Sequence, residues 1–264
     1  MRTVGTWTPA DSYFDTTCRL WRFFDIAMDE IYAPSFKELS QIARSHLTRS
    51  LEGRLHDLYS GTDDCMKIQY STSKKLPEAY HLHIGFHTAI ILFNRPLLEQ
   101  GTPGDPQRTL QTMVRSANAI CQAIQRHCRD YSFAEGPSYL VLHITRACVV
   151  FLLVATSPDP SVQRSAANGL KHCLTAIDQC ARTWSYLGKR SIRFIQELAS
   201  RWMVVKALPM RYSNVIRGFD SVSGSQESAM HKPDGRWSHL ENVDYSLDVY
   251  NGFTWSDIDT IEFA

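Results

Sequence analysis

The chain has 264 residues, a formal net charge of +1, 44% hydrophobic residues and 21% charged residues. This length suits one large domain, or one domain and a tail, and the composition is that of a globular protein. A chain that neutralises many phosphates carries a basic excess, so the balanced charge argues against direct DNA binding.

The most apolar window runs from Tyr139 to Ala155 and contains His143 and Arg146. Those polar side chains are costly at the centre of a bilayer and the window is short, so we interpret it as a buried core helix and expect no membrane contact. The seven cysteines are an odd number and lie mostly in apolar helical segments. Reduced, buried thiols are therefore expected.

Apolar residues recur at helical spacing between proline and glycine breaks, which predicts an all-α fold, a bundle of about seven helices. The first helix is predicted from about Ser12 to Tyr32. The second begins at Pro34 and is closed by Gly61, and a polar loop follows as far as Lys75.

The third helix opens at Pro77 and is predicted to end just before Pro96, because a proline cannot donate the next helical hydrogen bond. A fourth helix begins at Pro106, with Asp105 as its cap, and runs to about Tyr131.

A fifth helix starts after Gly136-Pro137-Ser138, and Ser157-Pro158-Asp159-Pro160 separates it from a sixth. Leu187-Gly188-Lys189 is predicted to separate the sixth from a seventh, which Pro209 stops. These limits predict a helical domain over residues 1–212, followed by a linker and a flexible tail over residues 213–264.

The tail from Glu241 onward alternates acidic residues with aromatic and aliphatic ones, and no Lys or Arg follows Arg236. Such alternation is typical of disordered activation segments, in which carboxylates keep apolar side chains exposed for a coactivator groove. The predicted coactivator-binding residues are Tyr250, Phe253, Trp255, Asp257, Ile258, Asp259, Ile261 and Phe263. The alternative is an ordinary terminal segment that docks on its own core.

Several cysteine and histidine spacings resemble metal-binding motifs. The spacings Cys121-x6-Cys128 and Cys173-x6-Cys180 resemble one interval of a six-cysteine zinc cluster, but seven helical residues rise about 10 Å, too far for two thiolates on one zinc.

His83 and His87 lie four apart on one helix face, yet no third ligand is identifiable, so histidines packed between helices are the favoured interpretation. No motif indicates a catalytic site, and we expect the protein not to be an enzyme.

The pattern from Leu82 to Leu98 includes Leu82-His83, Phe86-His87 and Ile91-Leu92-Phe93-Asn94-Arg95-Pro96. It resembles the signature of the fungal-specific transcription factor regulatory domain, the middle homology region of zinc binuclear cluster regulators. The signature residues are Leu82, His83, His87, Arg95 and Pro96, all with structural roles. For Arg95 we predict a bond to the last helical carbonyls or to an acid on another helix.

The resemblance extends over roughly Asp15 to Tyr212 and implies the back half of that domain, without the DNA-binding zinc cluster and therefore without a cofactor. It implies a nuclear transcriptional regulator, of a pathway or a secondary-metabolite gene cluster, that reaches DNA only through a partner. That partner would be a coactivator or another transcription-factor subunit, and a homo- or hetero-oligomer is possible. A missing half-domain also predicts exposed apolar surface on the first helices.

The alternative function is that of an α-helical enzyme or small-molecule-binding protein of secondary metabolism, with a pocket lined by His83, His87 and Trp202.

Overall fold

The computed structural model describes residues 8–68, 74–99 and 106–217. Within these ranges every regular element is helical and no strand is present, which confirms the all-α prediction. The nine α-helices of the described ranges are α1 Pro9–Tyr32, α2 Pro34–Glu38, α3 Gln41–Ser60, α4 Pro77–Glu99, α5 Pro106–Asp130, α6 Tyr139–Ala155, α7 Pro160–Cys180, α8 Ser185–Arg201 and α9 Met210–Arg217. Seven of them are long, as predicted, and the short ones are α2 and α9.

The first helix begins earlier than the apolar spacing predicts. The backbone N–H of Asp11 donates to Thr8 Oγ1 at 3.2 Å, and the Thr8 N–H donates to Asp11 Oδ2 at 2.9 Å. This reciprocal capping box satisfies two free donors of the first turn, so α1 starts at Pro9 rather than Ser12.

The predicted second helix is in fact two helices. Leu39 and Ser40 have extended backbone angles, and Ser40 Oγ accepts from the Ala43 N–H at 3.3 Å. A serine in this position caps a new helix, which is why α3 starts at Gln41 and the short α2 stands alone before it. Gly61 follows α3 directly, as predicted.

Two boundaries near the end of the helical region were predicted wrongly. Gly188 does not separate helices but lies in the first turn of α8, where an added Cβ would come within 2.5 Å of the Ala181 Cβ. It therefore permits a close approach of α8 to the end of α7. Pro209 does not stop a helix either, since α8 ends at Arg201 and Pro209 precedes α9. α9 continues to Arg217, past the predicted domain limit at residue 212.

Helix α4 lies at the centre of the fold, because its opposite faces belong to two apolar clusters. The smaller cluster joins α4 to α1, α2 and α3, and the larger one joins it to α5, α6, α7, α8 and α9. Residues of α4 in the smaller cluster are Ala79, Leu82, Phe86, Ala89, Ile90 and Phe93, and those in the larger are Tyr80, Ile84, Ile91 and Leu98. A helix that is apolar on all sides is a buried helix, which explains the composition of this segment.

Helices α5, α6 and α7 bring cysteines of the larger cluster together. A hydrogen bond with Cys173 and burial raise the pKa of the Cys121 thiol, and Cys173 also lies against Cys148. Within the described ranges Cys121, Cys148, Cys173 and Cys180 are buried, whereas Cys18, Cys65 and Cys128 are exposed. The expectation of buried thiols was thus wrong for the last three.

In the described part of the chain, no helix combines the length and apolar character that a membrane crossing requires.

The first helices expose large apolar side chains, as the resemblance predicts. Phe14 is 71% exposed, Ile26 42% and Ile42 81%, whereas residues of the α1 inner face such as Ile31 are buried.

Candidate functional site

The predicted coactivator-binding residues from Tyr250 to Phe263 lie outside the described residues, so their contacts remain a prediction. The five signature residues all lie on α4, at the centre of the fold.

His83 and His87 are packed among aromatic rings between α3 and α4. The Tyr59 hydroxyl lies 2.8 Å from His83 Nδ1, and the ring of Tyr59 stacks on Phe86 with centroids 4.5 Å apart. The ring of His87 meets that of His83 edge-on at 4.5 Å. Burial lowers the pKa of His83 to about 4 and that of His87 to about 2, so both are neutral at pH 7.

This arrangement confirms the interpretation of both histidines as packed side chains. Among the described residues, no group of three or more His, Cys, Asp and Glu side chains is arranged to hold a metal ion. Trp202, the third residue of the alternative pocket, packs against the larger apolar cluster. Tyr59 and Phe86, which contact His83 and His87, belong to the smaller cluster.

The prediction that α4 ends before Pro96 was wrong, and Tyr32 provides the reason. Pro96 lacks an N–H, so the carbonyl of Leu92, four residues earlier, loses its helical partner. The Tyr32 hydroxyl of α1 donates to that carbonyl at 3.1 Å. Arg95 is 5% exposed and its guanidinium lies 5.6 Å from the centroid of the Tyr32 ring. The ring of Tyr32 is thus one contact of Arg95, and the predicted bond to terminal carbonyls or to an acid stays a prediction.

A polar cleft of about 300 Å³ opens where α3, the last turns of α4 and the start of α5 meet. We call it the α3–α4–α5 cleft. Its polar lining is drawn from three helices and includes Ser45, Thr48, Arg49, Glu52, Asn94, Arg108 and Thr112.

A hydrogen bond joins two of the lining residues, from Asn94 Nδ2 to Glu52 Oε1. The Asn94 amide also donates to the Ile90 carbonyl at 2.9 Å. Burial raises the pKa of Glu52, although the bond from Asn94 and the charges of His56, Arg108 and Arg49 act in the opposite direction. The carboxylate is thus partly desolvated and feels the charges of one imidazole and two guanidinium groups.

Thr48 gives this cleft an unpaired buried hydroxyl. Its side chain is 1% exposed, and Thr48 Oγ1 has no hydrogen-bond partner among the described residues. Several helical threonines bond the carbonyl four residues earlier, as Thr88 does to Ile84 at 2.8 Å, whereas Thr48 and Thr17 do not. A buried hydroxyl that lacks even this bond is unusual in proteins.

The sequence prediction missed this cleft, although a signal was present. Gln41, Ser45, Thr48 and Glu52 are spaced by four, three and four, so they form one polar stripe along α3. A polar stripe that faces other helices rather than solvent indicates a polar cavity, but only the fold shows which side of α3 is covered.

No family model, curated protein or solved structure matches this chain.

Proposed function

We propose that the chain is a nuclear transcriptional regulator of the fungal type that acts through protein contacts, on a pathway or a secondary-metabolite gene cluster. Its helical part would be a regulatory module, and residues 241–264 would recruit a coactivator or another transcription-factor subunit. The chain would reach DNA only through that partner, and no catalytic activity is assigned to it.

The observation that carries the proposal is the composition of the last segment. Residues 241–264 hold six acidic residues and no Lys or Arg, and the acids alternate with aromatic and aliphatic residues. Mutual repulsion of the carboxylates opposes collapse of the segment, while Phe253, Trp255 and Phe263 are suited to anchor an amphipathic helix in a partner groove.

Two further observations support the proposal. The segment that resembles the fungal regulatory signature is the central helix of the fold, which agrees with a structural role for its residues. The first helices also leave apolar side chains such as Phe14 and Ile42 exposed, as a module that meets another protein would.

The experiment is a reporter assay with residues 241–264 fused to an unrelated DNA-binding domain. We expect activation well above the DNA-binding domain alone, and its loss when Phe253, Trp255 and Phe263 are replaced with alanine. The matched control replaces the polar Ser256 and Thr260 of the same segment with alanine, which should leave activation unchanged. A silent fusion, or equal activity of the aromatic and polar variants, would contradict the proposal.

A further inference from the structure

Positive charge is concentrated in the last part of the helical region. From Arg182 to Arg217 the chain carries eight Lys and Arg residues and one acidic residue, Glu197, although the net charge of the whole chain is only +1. Residues 241–264 have the opposite charge, with six acidic residues and no Lys or Arg. Two segments of opposite charge within one nearly neutral chain attract each other.

Helix α8 presents much of this positive charge on one side. Exposed residues of the helix follow one another at intervals of three or four, which places them along one face: Tyr186, Lys189, Arg193, Glu197 and Arg201. Arg190 lies on the same side, and its Nη1 donates to the Tyr186 hydroxyl at 3.1 Å. We call this surface, with its four cations and one acid, the basic α8 face.

Exposed aromatic rings accompany the cations. Tyr186 is 70% exposed, and Trp184, which directly precedes α8, is 41% exposed. The indole N–H of Trp184 donates to the Gly136 carbonyl at 2.8 Å, which holds this ring at the start of α8. Aromatic rings pack favourably on other aromatic rings, so the basic α8 face suits a partner that is both acidic and aromatic.

The acidic segment is joined to the chain beside this face. α9 packs against α8, where the side chain of Gln196 donates to the Tyr212 carbonyl at 2.6 Å. α9 ends at Arg217, and residues 218–240 connect it to the acidic segment. A chain of that length reaches at most about 80 Å, and such a tether gives an effective concentration on the order of 1 mM. Even weak contacts therefore suffice for docking.

We infer that the basic α8 face binds residues 241–264 of the same chain. Carboxylates of the segment pair with Lys189 and Arg193, and Trp255 packs against the ring of Tyr186. Exposed ion pairs are individually weak, so the docking is reversible and a coactivator that binds more tightly displaces the segment from the face. This docking goes beyond the proposed function, because it does not require that the segment activates transcription.

The test is carbodiimide cross-linking of the full chain. The reagent joins a carboxylate to a lysine amine as an amide, with loss of one water, only where the two groups touch, and mass spectrometry identifies the joined residues. In the monomeric product we expect Lys189 to be joined to residues 241–264 at least about threefold more often than the exposed Lys37 of α2 and Lys171 of α7. In about 1 M NaCl the excess at Lys189 should disappear, because salt screens exposed charges.

Two variants separate the contributions of charge and of aromatic contact. Arg193→Glu reverses an exposed charge and should lower the yield at Lys189 by about threefold. The triple alanine variant of the reporter assay keeps all six carboxylates of the segment, and should lower the yield by about twofold through loss of the ring contacts. The matched control is Arg164→Glu, at an exposed position of α7, which should leave the yield unchanged.

Several results would overturn the inference. Equal yields at Lys189, Lys37 and Lys171 would do so, as would a yield at Lys189 that Arg193→Glu leaves unchanged. Cross-links confined to a dimeric product would show that the face binds the segment of a second copy instead. Binding of a labelled single-stranded RNA, lost in Arg193→Glu, by a chain that gives no such cross-links would assign the face to nucleic acid. A silent reporter fusion would leave the cross-links unaffected, so the docking and the proposed function fail separately.

Discussion

The Tyr32 hydroxyl donates a hydrogen bond of 3.1 Å to the carbonyl oxygen of Leu92, the carbonyl that Pro96 leaves without its helical partner. Tyr32 lies at the end of α1 and Leu92 in the last third of α4, so this bond joins two helices. It also replaces the hydrogen bond that Pro96 cannot donate. It also explains why α4 continues to Glu99, past the residue at which the sequence predicts its end.

We predict that Tyr32→Phe lowers the free energy of unfolding by about 1–2 kcal/mol, because a buried carbonyl would lose its donor while the ring beneath Arg95 remains. Urea unfolding measures this. Tyr186→Phe, at a residue 70% exposed, serves as the control and should cost less than about 0.5 kcal/mol.

A double-mutant cycle isolates the role of the proline. Pro96→Ala restores an N–H that can reach the Leu92 carbonyl, so Tyr32→Phe should cost about 1 kcal/mol less in that background. An equal cost in both backgrounds would mean that the hydroxyl does not compensate for the proline.

The buried histidines should make the fold sensitive to acid. Burial lowers the pKa of His81 to about 3, that of His127 to about 4 and that of His143 to about 3, as it does for His83 and His87. In the unfolded chain these histidines have a pKa of about 6.5, so near and below that pH the unfolded state binds more protons than the folded state. The contribution of the neutral buried histidines to the free energy of unfolding is therefore present in full above about pH 6.5, and it is lost as the pH decreases towards about 4.

His127 offers a direct test of this linkage. Its ring stacks on Phe133 with centroids 4.1 Å apart, and its Nδ1 has no partner in the described chain, so His127→Phe keeps the packing and removes one titrating group. We expect a smaller loss of stability between pH 7 and pH 5 than in the parent chain, measured by urea unfolding at each pH. Ser50→Ala, at an exposed position without a titrating group, should leave the slope unchanged. The same slope for His127→Phe and the parent would contradict the account.

Substitution of two helical glycines with alanine should change the free energy of unfolding in opposite directions. At Gly169 of α7 an added Cβ would come within 2.5 Å of the Phe151 ring, so Gly169→Ala should destabilise the fold by about 1–3 kcal/mol. At Gly53 of α3 nothing lies within 4 Å of the added Cβ, so Gly53→Ala should stabilise it by up to about 1 kcal/mol. Urea unfolding of both variants checks the pair, and a loss of stability at Gly53 or a gain at Gly169 would show that the helices pack differently.

Thiol labelling tests the packing of α5, α6 and α7. Under native conditions a thiol reagent should modify Cys18, Cys65 and Cys128 quickly, whereas the buried Cys121, Cys148, Cys173 and Cys180 should react only after denaturation. Mass spectrometry of the labelled peptides identifies the sites. Rapid labelling of Cys173 in the native protein would contradict the described core.

The outcomes at individual prolines show which features of the fold the sequence predicts. Helix starts at Pro34, Pro77, Pro106 and Pro160 were predicted correctly, because a proline in the first turn is a local signal. Pro96 and Gly188 were misassigned because their effect depends on a contact outside their own helix: the Tyr32 hydroxyl in one case and Ala181 in the other. No local rule contains that information.

The candidate cleft illustrates the same limit. The polar stripe of α3 is visible in the sequence, but the positions of Asn94 and Arg108 against it depend on how α4 and α5 pack. The histidines of the signature are packed among aromatic rings, and the residue of the cleft with an unpaired buried hydroxyl is Thr48 of α3.

The proposal that the chain activates transcription through its acidic and aromatic end can be tested with the full chain tethered to a reporter promoter by an unrelated DNA-binding domain. We expect strong activation, and a fall to the level of the DNA-binding domain alone when Phe253, Trp255 and Phe263 are replaced with alanine, at equal protein abundance. Activation that survives these replacements, or a folded, abundant parent chain that gives none, would contradict it.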